Sequence, residues 1–292
     1  DNPYWTRYMN YQNDDRNRIY GNFGLEYQLT DWLKVFGRYN RDYYTDRRQE
    51  RIAVGSNVTS EYKEAVREFS ETNIEFRVQV QTYLTEELSL DVDAGVNQRT
   101  NHYERNEGQT VGGLPIPEFY NLINTTNPVS VIDYRERWRV NSLFGRASLG
   151  FMNMFYLDLT ARNDWSSTLP LDNNSYFYPS ATLSWVFSEM EGMDNIDWLS
   201  YGKIRGGWAQ VGNDTDPYRL YGTYRGKENF GTNPVYTVPN PLPNDELKPE
   251  KTTSWEIGGE FQFFNSRLGL DITYYDNKTV DLIFPVAVSG AT

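Results

Sequence analysis

The 292-residue chain has no cysteine. A disulfide framework and any zinc site built on thiolates are therefore excluded. Its single histidine, His102, has no ligand-spaced partners, so it reads as a surface residue and not as a metal ligand. One histidine also leaves no plausible Ser/His/Asp arrangement. Long apolar runs are missing too. The longest, LIFPVAV at 282–288, falls far short of the roughly 20 residues that a membrane helix needs. Hydrophobic residues make up 38 % of the chain, and the mean hydropathy is -0.71. No basic stripe accompanies the net charge of -12, which argues against nucleic acid as a partner. Phosphate-loop spacings are also absent, so the glycine-rich GKIRGGWAQVG at 202–212 reads as a place where a strand bends or packs closely. The sequence opens without a targeting segment, and the expectation is a segment of something longer.

What the chain does have is aromatic side chains, 16 % of the total, and alternation. In FYLDLTARNDWS (155–166), Phe155, Leu157, Leu159 and Ala161 alternate with Asp158, Thr160, Arg162 and Asp164. A strand with one apolar and one polar face follows. It can rim a soluble core or stand between lipid and water. The hydropathy test for membrane helices is blind to the second case, because barrel strands alternate and never build a long apolar run.

The same pattern recurs in five pairs of segments: 17–29 with 33–44, 64–84 with 88–104, 134–152 with 155–166, 176–188 with 200–211, and 253–264 with 267–284. Short turns are expected near 30, 86, 153, 194 and 265. Long connections rich in Gly, Pro, Asn, Asp and Tyr are expected at about 47–63, 105–133, 167–175 and 212–252. Long structureless connections are uncommon in compact domains. Strict short/long alternation is the habit of outer-membrane barrels, with tight turns on one face and long loops on the other. The expected fold is all-β, a transmembrane antiparallel β-barrel, favoured over a sandwich or propeller.

Several stretches, in order, resemble the SusC/RagA-like TonB-linked outer-membrane transporters. They are DNPYW at 1–5, NRIYGNFGLEYQLTDWLKVFGRYNRDYY at 17–44, the 155–170 stretch, NNSYFYPSATLSWVFSE at 173–189, WLSYGKIRGGWAQVGND at 198–214, and LKPEKTTSWEIGGEFQFFNSRLGLDITYYDNKTVDLIFPV at 247–286. The resemblance implies a barrel of about 22 strands blocked by an N-terminal plug. This chain would supply about ten middle strands, with the plug and its TonB contact outside it. It further implies residence in the Gram-negative outer membrane and TonB-dependent import of oligosaccharides, or in some members peptides. The implied partner is a SusD-like surface lipoprotein that lids the barrel. Neither an enzyme activity nor a cofactor is expected.

Paired acids such as Asp91 and Asp93 share a strand face, but polar lumen faces carry many such charges by default. Trp165, Trp208 and Trp255 fall on the apolar face near strand ends, where interface girdles sit. Better candidates for touching a ligand or a lid lie in the long connections: Tyr103, Tyr120, Tyr218, Tyr221, Tyr224 and Tyr236. A tyrosine ring can stack on a sugar's C–H face while nearby Asn and Asp fix its hydroxyls. The alternative reading is a soluble or surface-attached β-rich module that binds a glycan or peptide without transport.

Overall fold

A computed structural model describes residues 2–193, 196–237 and 243–284. The turn expected near 194, part of the long connection expected at 212–252 and the residues after 284 fall outside it. A short helix, α1 (Pro3–Met9), starts the chain; Asn2 caps it, its side chain accepting from the Tyr4 N–H at 3.0 Å. Among the described residues twelve strands follow: β1 (Tyr11–Thr30), β2 (Leu33–Ile52), β3 (Glu61–Tyr83), β4 (Leu88–Val111), β5 (Asn127–Phe151), β6 (Phe155–Ser166), β7 (Ser175–Val186), β8 (Leu199–Asn213), β9 (Arg225–Phe230), β10 (Asn233–Thr237), β11 (Glu250–Phe263) and β12 (Leu268–Val280). Ten of them form one sheet in the order β1-β2-β3-β4-β5-β6-β7-β8-β11-β12, a simple meander, and β9 and β10 form a separate hairpin. No helix is long and apolar enough to cross a membrane among the described residues.

The first five strands are 20 to 25 residues long. Composition alone suggests shorter strands and longer connections than are found. The connections between β2 and β3 and between β4 and β5 shrink to 53–60 and 112–126. The extra strand length is polar on both faces, so it carries no hydrophobic period, yet its ladder continues. Side-chain ties such as Lys63 to Glu107 at 3.1 Å and Tyr62 N–H to Thr110 Oγ1 at 2.8 Å hold it. Alternation breaks there as well: Tyr62 and Ala65 are both buried, as are Glu107 and Thr110. The β9–β10 hairpin, inside the long 214–249 connection, has no counterpart in the sequence reading.

Two compact units are distinguished. One holds residues 1–23, 38–74 and 99–138; the other holds 24–37, 75–98 and 139–292. In the second, the usual order of burial is reversed. Leu159, Leu183 and Ile257 are 44 %, 55 % and 59 % exposed, while Ser142, Asp93 and Asp164 are 4 %, 7 % and 6 % exposed. A soluble sheet buries its apolar side. Leaving each Leu or Ile in water would forfeit about 1.5–3 kcal/mol. The side that carries them faces hydrocarbon.

That apolar side has two marked borders. At the tight-turn end, rings form a continuous belt: Phe155 to Trp185 at 6.0 Å, Trp185 to Phe187 at 5.9 Å, Phe187 to Phe261 at 6.1 Å, Phe261 to Phe263 at 6.3 Å and Phe263 to Trp198 at 6.0 Å. Glycines make room for it. A Cβ on Gly202 would sit 2.1 Å from the Phe187 ring, and one on Gly259 would sit 2.7 Å from Phe261. Toward the long connections, amide and hydroxyl pairs take over the same side: Gln98 donates to Asn141 at 2.9 Å, Asn163 to Ser175 at 3.0 Å, and Gln210 to Thr253 at 3.5 Å. Phe155 to Asn163, and Phe263 to Thr253, cover roughly 26–33 Å of strand at about 3.3 Å per residue. With strands tilted by about 40°, that is a band some 20–25 Å tall, the height of a barrel's lipid-facing belt.

Charge tests this assignment. Leu159→Arg, in the middle of the band, is expected to cost about 2–4 kcal/mol of folding stability in a bilayer. Thr182→Arg, on the opposite side and in register with Asp158, is expected to cost about 1 kcal/mol or less. Equal costs in reversible folding into lipid vesicles would contradict the band.

Candidate functional site

The side of the second unit opposite the band is built of charge. Arg146 donates to Asp158 at 3.0 Å and lies 3.9 Å from Asp93; Arg77 approaches Asp93 at 3.7 Å. Arg162 donates to Asp164 at 2.8 Å and to Ser142 at 2.7 Å, and the Tyr178 hydroxyl completes the Asp164 site. On the last three strands of the sheet, Arg205 of β8 reaches across β11 to Asp271 and Thr273 of β12, at 3.0 and 2.8 Å. Gly258 of β11 permits the crossing, since a Cβ there would meet Arg205 Nε at 3.1 Å. These charges meet opposite ones, so the wall is hydrophilic. Near the tight turns a cavity of about 640 Å3 opens on this side, lined by Arg146, Asp158, Tyr156, Tyr201 and Lys203 among others.

The root of the 214–249 connection is clamped. Asp214 accepts from the hydroxyls of buried Ser166 and Thr168, the latter at 3.2 Å. Beyond that root the candidate tyrosines are open: Tyr218, Tyr221, Tyr224 and Tyr236 are all exposed. Tyr236 sits on β10 opposite Gly226 of β9. Phe230 and Val235 add apolar surface to the same hairpin.

In the first unit, the completely buried carboxylate of Asp46 accepts from Arg16 at 3.0 Å and Arg48 at 2.9 Å. Arg16 also lies over the Tyr44 ring at 4.7 Å. Burial alone would raise the Asp46 carboxyl; the hydrogen bonds and charges of the two guanidiniums outweigh it and hold the carboxyl below its usual range. α1 is tied on by Trp5, whose indole N–H donates to Ser56 at 3.0 Å, and by Asn10, which accepts from the Ala53 N–H at 2.8 Å.

Two candidate tyrosines fall in this unit. Tyr103 packs edge-on against Tyr134, with centroids 6.3 Å apart. Tyr120 borders a cavity of about 330 Å3, together with Tyr11, Glu50, Arg51, Tyr62 and Glu118. The Arg51 guanidinium lies 3.7 Å from the Tyr11 centroid and 4.4 Å from that of Tyr120. The sequence singles out Tyr120 as a candidate and gives no sign of Arg51, Tyr11 or Glu118 beside it. No local pattern links residues so far apart in the chain; only the strand pairing brings them together. His102 pairs with Glu104 at 2.9 Å, and among the described residues no group of three His, Cys, Asp or Glu side chains is placed to hold a metal.

An antiparallel meander with lipid on one side and paired charge on the other is the wall of a membrane-spanning β-barrel. The sequence profile of the family described as TonB dependent receptor-like, beta-barrel, matches residues 1–292. The chain belongs to that family. TonB-dependent receptor P26 of Formosa agariphila is 26 % identical over 309 residues, covering 100 % of this chain and 30 % of that protein. TonB-dependent receptor SusC of Bacteroides thetaiotaomicron is 30 % identical over 231 residues, covering 75 % of this chain and 22 % of that protein. The RagAB peptide transporter structure superposes with a TM-score of 0.83 at 16 % identity, over 95 % of this chain and 31 % of that one. The chain therefore spans less than a third of the length of these relatives.

The Asp46 site predicts a pH dependence. Its folded pKa is depressed, so its stabilisation is complete above the ordinary aspartate value of about 3.9 and is lost as pH falls through the folded value. Urea unfolding of the full-length protein in detergent should show Asp46→Asn less stable than wild type at pH 7, with the two converging as pH falls below about 4. A difference that persists unchanged at pH 3 would contradict the assignment.

Proposed function

We propose that this chain is part of the wall of a TonB-dependent importer in the Gram-negative outer membrane, taking up an oligosaccharide or a peptide with the help of a SusD-like surface lipoprotein. The observation that carries the reading is the inverted burial of a sheet whose sequence belongs to a receptor-barrel family. A soluble or surface-attached binding module would have to cover the same apolar band with protein. The likeness to SusC and to the RagAB peptide transporter supports import and leaves both substrate classes open.

In this reading the wall performs no covalent chemistry and holds no cofactor. Paired charges keep a water-filled passage from binding any one ion tightly, while energy arrives through a plug and TonB that lie outside this chain. The edge strands β1 and β12 would otherwise present unpaired N–H and C=O groups to hydrocarbon, where each costs several kcal/mol. Further strands of a longer barrel supply their partners. The connections within 105–133 and 212–252 face the outside. Tyr120, Tyr218, Tyr221, Tyr224 and Tyr236 of these connections, together with Tyr103, which lies on β4 and not in a connection, contact the substrate, the lipoprotein or both. The exposed β9–β10 hairpin suits the lipoprotein, because it pairs apolar surface with little burial of its own.

Orientation is the direct check. Single cysteines at Thr126 and Asn229 should react with a membrane-impermeant maleimide in intact cells, and one at Asn265 should react only after lysis. Labelling of the Asn265 position alone would invert the topology. Substrate uptake should stop when the proton-motive force is collapsed; uptake that continues would remove TonB from the account.

A further inference from the structure

The two sides of the sheet treat charge differently. On the polar side, the guanidiniums of Arg77, Arg146, Arg162 and Arg205 each have a carboxylate partner. On the lipid-facing side, the first cations at the border of the band have none among the described residues. Lys251 of β11 is the next residue past Thr253 on that side, and Lys278 of β12 is directly opposite Thr253. Thr253 and Gln210 form one of the border pairs, so both lysines stand at the edge of the hydrocarbon. Lys251 is opposite Val280, which makes the two lysines diagonal neighbours about 7–8 Å apart. Asp276, opposite Trp255, shares this side, and no ion pair joins it to either lysine. Next into the band come the Trp208 and Trp255 rings, 6.0 Å apart, with Trp255 59 % exposed. Ile257, Leu270 and Ile272 follow, all exposed. The order recurs on β5 and β6. Arg139 is the next residue past the border residue Asn141, Trp165 is opposite Asn141, and Leu143 leads into the band.

Like charges placed side by side on a sheet repel. A shared anion relieves that repulsion. A phosphate diester has two free oxygens, one for each ammonium, and an indole N–H can donate to its ester oxygens. A soluble anion gains little from lysines this exposed. A lipid gains more, because its chains lie against Ile257, Leu270 and Ile272 while its headgroup meets the charges. Lysine suits the position: its stem lies along apolar surface and its ammonium stays at the level of the headgroups. Cations beside a membrane attract anionic lipid in just this way.

We infer that Lys251 and Lys278, with Trp208 and Trp255 beside them, bind the phosphate of an anionic lipid in the leaflet nearer the long connections. The inference rests on the lipid-facing band and holds whatever the barrel imports. The test is native mass spectrometry of the full-length receptor, released from detergent micelles doped with phosphatidylglycerol, with lipid A or with phosphatidylcholine. At least one of the two anionic lipids should be retained more tightly than phosphatidylcholine. Lys251→Gln and Lys278→Gln should each weaken that retention about fivefold, and the double substitution about 25-fold. Lys203→Gln, which removes the same charge from the polar side of β8, should leave it unchanged. Unaltered heat-modifiable migration in gels would show that the variants are folded. Equal retention of phosphatidylcholine, unaltered retention by the double variant, an equal loss in Lys203→Gln, or displacement of the lipid by inorganic phosphate at constant ionic strength would overturn the assignment.

Discussion

Hydrocarbon cannot hydrogen-bond to a peptide group, and that constraint organises this chain. Every backbone N–H and C=O in the band must be met by a neighbouring strand, which dictates a continuous antiparallel ladder joined by tight turns. The turn between β5 and β6 is made by Met152 and Asn153, both left-handed, with Met154 N–H returning to the Phe151 carbonyl at 3.0 Å. Phe264, Asn265 and Ser266 make the corresponding turn between β11 and β12 with the same hand. Once the ladder is closed locally, side chains are free to differ completely on the two sides. One side takes Leu, Ile and aromatic rings; the other takes Asp, Arg and Tyr.

From that separation the rest follows. The ring belt from Phe155 to Trp198 and the amide pairs at Gln98, Asn163 and Gln210 are where the two solvents change over. On β1 and β2, charge pairs such as Arg18 with Asp42 and Arg16 with Asp46 line the side opposite Ile19, Phe23 and Leu25. Toward the long connections the chain gains the freedom to build concave, polar features such as the cavity at Arg51. Function in this family of walls is then a matter of what the polar side and the long connections hold.

Legibility in the sequence tracks the same division. The bounds of β6 are those that alternation predicts, because every second residue from Phe155 to Ala161 is apolar and the Asn163–Trp165 end is marked by aromatics. The polar extensions were not legible: RNEGQTV at 105–111 carries no period, yet it is strand to Val111. The belt at the tight-turn end was not legible. Trp165, Trp208 and Trp255, placed on the apolar side near strand ends, lie toward the amide pairs and outside the belt, with the Trp208 and Trp255 rings 6.0 Å apart, and Phe187 and Phe261 depend on space left by Gly202 and Gly259, which no single-strand pattern displays. Among candidate ligand contacts, tyrosine in an Asn-rich connection pointed to Tyr120. Its stacking on Arg51 depends on contacts between distant strands.

The central claim is that the two sides of this sheet face different solvents. Site-directed spin labels at successive positions 156 to 162 of β6, in the full-length receptor reconstituted in lipid vesicles, measure it directly. The account predicts a period of two: labels at Leu157, Leu159 and Ala161 collide with molecular oxygen and are hidden from a polar nickel chelate, and labels at Asp158, Thr160 and Arg162 do the reverse. Collision profiles in phase for the two probes, or oxygen contact at the charged positions, would contradict it.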